Sequence, residues 1–254
     1  MADFEIEAYS GTCKTHGNFS GESIAILGKK IRRGCPECIQ QEADEAKARE
    51  AEEAKREEEI RAYESQKRLE LSGVPARFAN KSLDTFVITN DGQELALESC
   101  RRLVQAIKQA EKAPNLVFIG KPGTGKTHLS CGVIRELYMT KRVRRIDLPD
   151  LIREIRSTWH KKSERTESEV LDFYGKIDLL IIEEIGTGAG SEDEKARIFQ
   201  VINRRYEAML PTVIISNLDI KTLREEIGER VLDRLREGDR ALLTFDWPSM
   251  RGAV

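Results

Sequence analysis

Eight residues, Gly120-Lys121-Pro122-Gly123-Thr124-Gly125-Lys126-Thr127, constrain this chain more than any other stretch. They fill every specified position of the pattern G-x-x-x-x-G-K-[ST]. The apolar run Leu116-Val117-Phe118-Ile119 before them reads as a buried strand, and a helical pattern runs from Lys126 to about Met139. Glycines let a strand-to-helix turn curl so that its N–H groups face phosphate oxygens, and the helix N-terminus adds partial positive charge. Such a loop binds a nucleotide, which in an ATPase would be ATP or ADP, through its phosphates. Lys126 would reach the β- and γ-phosphates, and the Thr127 hydroxyl would hold Mg²⁺. The expected nucleotide-binding set is Gly120, Pro122, Gly123, Thr124, Gly125, Lys126, Thr127 and the adjoining His128.

At 254 residues the chain can hold one ordinary domain and a small appendage. Its net charge is −2, so it has no uniform basic field, and any nucleic-acid contact must come from a local patch. No apolar run approaches membrane-spanning length and the first residues do not read as a signal peptide. These features lead us to expect a cytoplasmic protein without membrane contact. Five cysteines in that compartment argue against a disulfide framework and leave metal binding open.

Four potential ligands lie in the first forty residues: Cys13-Lys-Thr-His16 and Cys35-Pro-Glu-Cys38, each pair separated by two residues. Two such knuckles complete a tetrahedron, so Cys13, His16, Cys35 and Cys38 are expected to hold a structural Zn²⁺ with no open position. From Ile39 to about Ser72 the residues are mostly Ala, Glu, Lys and Arg, with opposite charges recurring three and four apart. That composition predicts a long solvated spacer helix, with a disordered charged linker as the alternative. The expected division is a zinc-binding segment 1–40, a charged helix 41–72 and a nucleotide domain 73–254.

Within the last part, an irregular lead-in 76–86 precedes a helix over Gln93–Glu111. A strand is expected at Val143–Leu148, then a helix ending near Trp159 and a polar loop over 161–168. Further strands are expected at Ile177–Ile182, Thr212–Ser216 and 241–245, with helices over 194–208, 220–226 and 229–236. Alternating strands and helices imply an α/β fold whose parallel sheet is covered on both faces. In such sheets the chemistry sits at the carboxyl ends of the strands, where the phosphate loop, Glu183-Glu184 and Asn217 fall. Cys100 and Cys131 read as small core residues. Lys141-Arg142 and Arg144-Arg145 read as an exposed strand edge.

The stretch Gly73–Arg251 resembles the DnaC-type replicative helicase loaders, relatives of the IstB transposition ATPases within the AAA+ class. The resemblance is carried by Gly73-Val-Pro-Ala-Arg-Phe78, the phosphate loop through Leu129, Leu179-Leu-Ile-Ile-Glu-Glu-Ile-Gly186 and Ser216-Asn217. It extends through Gly228-Glu-Arg-Val-Leu-Asp-Arg234 and Asp246-Trp-Pro-Ser-Met-Arg251. It implies that Glu183 holds Mg²⁺ through water, Glu184 polarises the attacking water, and Asn217 senses the γ-phosphate. It implies that Arg230 is a finger completing a neighbouring subunit's site, with Arg234 next in line; on the residues alone, Arg230 reads as a surface ion pair with Glu226 or Asp233. It also implies assembly into a ring or spiral, a DnaB-type hexameric helicase as partner, and single-stranded DNA as the second. The family usually carries Asp where Glu183 stands, and the extra methylene carries the carboxylate about 1.5 Å further out.

For DNA, Trp159 with Arg156, Lys161 and Lys162 pairs an aromatic face with cations. The resemblance adds Ser191 and Lys195 in a second DNA-facing loop. A packing role for Trp159 and a solvated run at Lys161-Lys162 are the plainer readings. The function this supports is a loader placing a helicase on single-stranded DNA. The rivals are a transposition helper ATPase of the IstB kind acting on duplex DNA, and an interaction protein gated by ATP with little hydrolysis.

Overall fold

The structure is a computed structural model and describes residues 6–26, 29–160, 162–187, 190–237 and 242–251. It divides into two compact units, 1–64 and 65–254.

The first unit is a three-stranded antiparallel sheet of β1 (Ile6–Cys13), β2 (Gly17–Ile26) and β3 (Lys29–Arg32), in that order. Tyr9 lies opposite Gly21 and Phe19 opposite Gly11 across the β1–β2 pair, so each ring covers a glycine on the facing strand. The two rings meet edge to face at 6.0 Å. Helix α1 (Pro36–Leu71) begins here and runs for 36 residues with none buried, in keeping with its charge pattern. It starts three residues before the expected Ile39 because Pro36 is suited to a first helical turn, and Ile39 N–H donates back to Cys35 O at 3.0 Å.

The second unit is built on a parallel sheet of β4 (Leu116–Gly120), β5 (Val143–Asp147), β6 (Leu179–Ile185), β7 (Thr212–Ser216) and β8 (Leu242–Phe245), in the order β5-β6-β7-β4-β8. Leu116, Phe118, Ile181 and Ile215 face α2 (Asp91–Gln109) and α3 (Lys126–Leu137). Val117, Ile119, Ile182 and Ile214 face the opposite core, shared with α4 (Leu148–Ser157), α5 (Glu167–Lys176), α6 (Glu192–Glu207), α7 (Ile220–Ile227) and α8 (Glu229–Arg236). Burial on both sides explains why the strands read as continuous apolar runs. The chain leaves β4 toward β5 on one side while β8 lies on the other, so the phosphate loop sits where the strand order reverses.

Three details depart from the sequence reading. Helix α5 takes the last two residues of the expected loop, 161–168, and continues to Lys176, and its start carries a capping box between Thr166 and Glu169. Strand β6 runs three residues past Ile182, carried through the acid pair by a register shift against β7 between Ile182 and Ile185. The expected basic edge divides. Strand β5 does form the sheet edge, but Arg145 turns inward, and its N–H donates to Ser72 O at 2.7 Å. Arg144 Nη1 donates to Leu71 O at 2.5 Å. The last turn of α1 thus covers part of this edge. Gly73 makes the approach possible: its φ is +80°, and a Cβ there would stand 2.1 Å from Arg145 O.

The most buried cation is Arg205 on α6, 1% exposed. Its guanidinium donates to Tyr174 O at 2.7 Å, Ile177 O at 2.9 Å, Pro211 O at 2.6 Å and Thr212 Oγ1 at 2.9 Å. One side chain thereby fixes the connections that lead into β6 and β7. Arg205→Met would leave three carbonyls and a hydroxyl without this donor, costing about 3 kcal/mol or more. The expected result is a fall in thermal midpoint of roughly 6–12 °C by calorimetry. A fall under about 2 °C would rule out this clamp.

Candidate functional site

The phosphate loop joins β4 to α3. Gly123 has φ +82°, and a Cβ there would meet Ser249 Oγ at 2.2 Å, so both conformation and space demand glycine. The loop is braced from the far end of the chain. Met250 N–H donates to Gly123 O at 2.8 Å, and Trp247 Nε1 donates to Thr124 O at 2.9 Å. Lys126 is buried, and its ammonium donates to Gly120 O at 2.7 Å and Lys121 O at 2.6 Å. Burial pushes that ammonium down to about 8, with Glu183 and Glu184 pulling it up and Arg251 adding to the depression. Pro122 is exposed.

His128 lies one turn into α3 but turns away from the loop. Its Nε2 sits 2.9 Å from Ser82 O and 3.2 Å from Thr85 Oγ1, and its ring meets Phe86 edge to face at 5.4 Å. Phe86 in turn packs where a Gly125 Cβ would stand. His128 therefore positions the lead-in segment beside the phosphate loop.

At the end of β6, Glu183 is buried with 3% of its side chain exposed. It accepts from Thr127 Oγ1 at 3.0 Å, Ser130 Oγ at 2.7 Å and Arg145 Nη2 at 3.0 Å. A hydroxyl and a carboxylate oxygen at the mouth of a phosphate loop are the hard donors that fit Mg²⁺. Glu184 is exposed and has φ +56°, a left-handed conformation that a non-glycine residue adopts at a cost of about 1–3 kcal/mol. The register shift in β6 creates that conformation and turns Glu184 out of the sheet beside Glu183. Asn217 stands exposed one residue past β7. The strand ends thus bring the phosphate loop, both glutamates and Asn217 to one edge of the sheet.

Arg230 and Arg234 sit on α8 in different surroundings. Arg230 is exposed and makes no ion pair among the described residues, in contrast to the surface pair with Glu226 or Asp233. Arg234 is committed within the subunit, its guanidinium 4.6 Å from the Phe199 ring centre and 5.3 Å from that of Tyr206.

Of the expected DNA-contacting residues, Trp159 is 54% exposed. Its Nε1 donates to Glu167 at 2.7 Å, and Arg197, a residue outside the expected set, lies 5.2 Å from its ring centre. Arg156 pairs with Asp193 at 2.9 Å and Lys195 with Glu192 at 2.9 Å, so their charge is matched locally. Ser191 caps α6 by accepting from Glu194 N–H. Lys162 is exposed, and Lys161 lies outside the described residues.

In the first unit, Cys13, His16, Cys35 and Cys38 converge with all four ligand atoms within 4.8 Å of one another. Cys13 and Cys38 sulfurs are 3.5 Å apart, and His16 Nδ1 is 3.8, 3.7 and 3.3 Å from the sulfurs of Cys13, Cys35 and Cys38. A zinc tetrahedron with bonds of about 2.3 Å to sulfur and 2.0 Å to nitrogen has edges of about 3.5–3.8 Å, so the cluster fits Zn²⁺. The β1–β2 turn supplies the first two ligands and the first turn of α1 the last. N–H groups of His16 and Thr15 lower the Cys13 thiol to about 6, readying it as a thiolate. His16 Nε2 faces the Glu37 carboxylate at 3.8 Å, the outer partner a metal-binding imidazole needs.

Metal analysis of the full chain should find one zinc per chain, and Cys35→Ser should lose it while nucleotide affinity stays within about twofold. A chain folded and free of zinc would refute the site. Nucleotide affinity should also depend on pH through Lys126. Below about pH 8 the ammonium already carries its proton and affinity is flat; above it, binding must take up a proton and affinity falls toward tenfold per pH unit. Titration with a fluorescent nucleotide between about pH 6.5 and 9.5 measures this, and Lys126→Ala should abolish binding. An affinity unchanged across that range would remove Lys126 from the phosphate contacts.

Comparison with known proteins bears on this geometry. The family model described as IstB-like ATP binding protein matches residues 48–237. The replicative helicase loader DnaC of Buchnera aphidicola from Acyrthosiphon pisum is 36% identical over 197 residues, covering 77% of this chain and 79% of that protein. Its counterpart in Escherichia coli K12 is 33% identical over 199 residues, covering 78% and 80%. A crystal structure of the DnaC helicase loader superposes with a TM-score of 0.58 at 26% identity, over 68% of this chain and all of that one. With a family match across most of its length and this identity over more than three quarters of it, the chain belongs to the DnaC and IstB-like family of AAA+ ATP-binding proteins.

Proposed function

We propose that this chain is an ATP-dependent loader that binds a DnaB-type hexameric replicative helicase and places it on single-stranded DNA during replication initiation. The observation that carries the reading is the similarity to proteins named as replicative helicase loaders, over 77–78% of the chain. The phosphate loop, the Glu183–Glu184 pair and Asn217 at neighbouring strand ends support it. In this reading the phosphate loop and Lys126 bind ATP, while Thr127 and Glu183 hold Mg²⁺. When bound there, Mg²⁺ would supply charge neutralisation to the phosphates. Glu184, turned out of the sheet, polarises the attacking water, and Asn217 contacts the γ-phosphate from the tip of β7.

Arg230 is the residue offered to a neighbouring copy, because it is exposed and unpaired among the described residues while Arg234 is engaged internally. Hydrolysis is then slow in the isolated chain and accelerates on assembly into a ring or spiral. Segment 1–40 docks the helicase through its zinc-stiffened surface, 41–72 serves as a spacer, and 73–254 carries the ATPase. The exposed indole of Trp159, with Lys161 and Lys162, contacts the single strand, and Ser191 and Lys195 at the start of α6 offer it a second contact. The site of action is the cytoplasm, and no helix among the described residues is long and apolar enough to cross a membrane.

The test is capture of a DnaB-type helicase by the full chain, alongside a transposase as competitor. Helicase capture is expected, together with loss of capture in Cys35→Ser and retention in Lys126→Ala. Capture of the transposase alone would favour the transposition-helper reading instead.

A further inference from the structure

The Glu183 carboxylate is satisfied by an arginine that nothing in the sequence pattern announced. Strands β5 and β6 pair in parallel with Asp147 opposite Glu183 and Arg145 opposite Ile181. Arg145 and Asp147 lie two apart on β5 and share a face, so the arginine side chain runs along the strand toward its carboxyl end. Its Nη2 reaches Asp147 Oδ1 and Glu183 Oε2, each at 3.0 Å. Only 11% of the Arg145 side chain is exposed. The pair is therefore shielded from solvent.

We propose that Arg145 is a positioning residue for the Mg²⁺ and nucleotide site, a built-in cation that neutralises and orients Glu183 until the metal arrives. The inference rests on reading Glu183 as the acid on the metal side. Three observations support it. Glu183 is longer than the aspartate the family resemblance leads one to expect, and a shortened side chain would retreat about 1.5 Å from the guanidinium. Without Arg145, two carboxylates at the end of adjacent strands would face each other uncompensated, and like charges this close disfavour joint ionisation. In keeping with that, burial raises the Asp147 carboxyl, Glu183 raises it further, and Arg145 opposes both. The remaining Glu183 contacts, Thr127 and Ser130, are neutral hydroxyls on α3, so Arg145 is the only full charge among its hydrogen-bond donors in the described residues.

The consequence is a preformed acid with a moderated appetite for metal. A divalent ion entering this site meets a carboxylate already balanced by a guanidinium. Removing Arg145 should therefore make the site depend more on Mg²⁺, whereas loss of an ordinary structural residue would weaken binding equally with and without the ion.

The experiment compares full-length wild type, Arg145→Met, Arg145→Lys and Arg145→Met/Glu183→Gln, using fluorescent nucleotide titrations in Mg²⁺ and in EDTA, with thermal midpoints of the nucleotide-free chains. The ratio of the two affinities should rise about tenfold in Arg145→Met, because a nearby compensating charge is gone. Arg145→Lys, which keeps the charge and loses the fork, should return the ratio toward wild type. The thermal midpoint should fall in Arg145→Met and recover in the double variant, where neither buried charge remains. An unchanged ratio in Arg145→Met, or losses of stability that simply add in the double variant, would overturn the proposal. A wild-type affinity indifferent to Mg²⁺ would instead overturn the reading of Glu183 on which it rests. Should Arg145→Met not fold, the recovery of folding and the loss of Mg²⁺ dependence in the double variant decide the matter.

Discussion

The strand ends that carry Glu183, Glu184 and Asn217 depend on a clamp at the other end of the same strands. Strands β6 and β7 carry Glu183, Glu184 and Asn217 at their carboxyl ends, and the connections into their amino ends converge on the Arg205 guanidinium. A cation held in a dry interior is expensive unless its donors are met. Arg205 is met by three main-chain carbonyls and a threonine hydroxyl. Carbonyls at strand entrances have no partners in the ladder, so a planar fork that satisfies several at once sets the spacing of the two strands. The positions of the acids then follow from strand length and the single register shift in β6.

The second dependence is electrostatic and lies around Glu183. Its carboxylate is drawn between helix α3, which supplies Thr127 and Ser130, and strand β5, which supplies Arg145. The phosphate-loop helix and the sheet edge are thereby tied together through one acid. Glu184 beside it makes the opposite bargain. It is exposed and held at positive φ, so its local conformation is maintained by the neighbouring strand rather than by its own preference.

What could be read from the sequence was whatever has a period or a fixed spacing. The phosphate loop, the cluster of Cys13, His16, Cys35 and Cys38 and the apolar strands of the parallel sheet belong to this class, because glycine positions, knuckle spacing and two-sided burial each leave a regular trace. Helix α5 left such a trace as well, in the capping box Thr166–Glu169, but it adjoins a polar stretch with no apolar period. Arg145 and Arg205 left none. A single arginine in a strand or on a polar helix looks like a surface residue, and only the tertiary contact reveals an inward fork. Likewise Asp193, which pairs with Arg156, and Glu167, which accepts from Trp159, lie on other helices, so nothing in the sequence around Trp159 marks them.

The brace on the phosphate loop carries a consequence for the order in which the site is made. Trp247 and Met250 grip Thr124 and Gly123 from more than 120 positions further along the chain. A growing polypeptide therefore exposes its glycine loop long before the segment that steadies it exists. Contacts so distant in sequence also carry the entropy cost of closing the loop between them. The nucleotide cradle is therefore complete only once the residues around Trp247 have been made. A chain cut short before them would lack both hydrogen bonds to the loop and the indole that packs on Phe245 of β8.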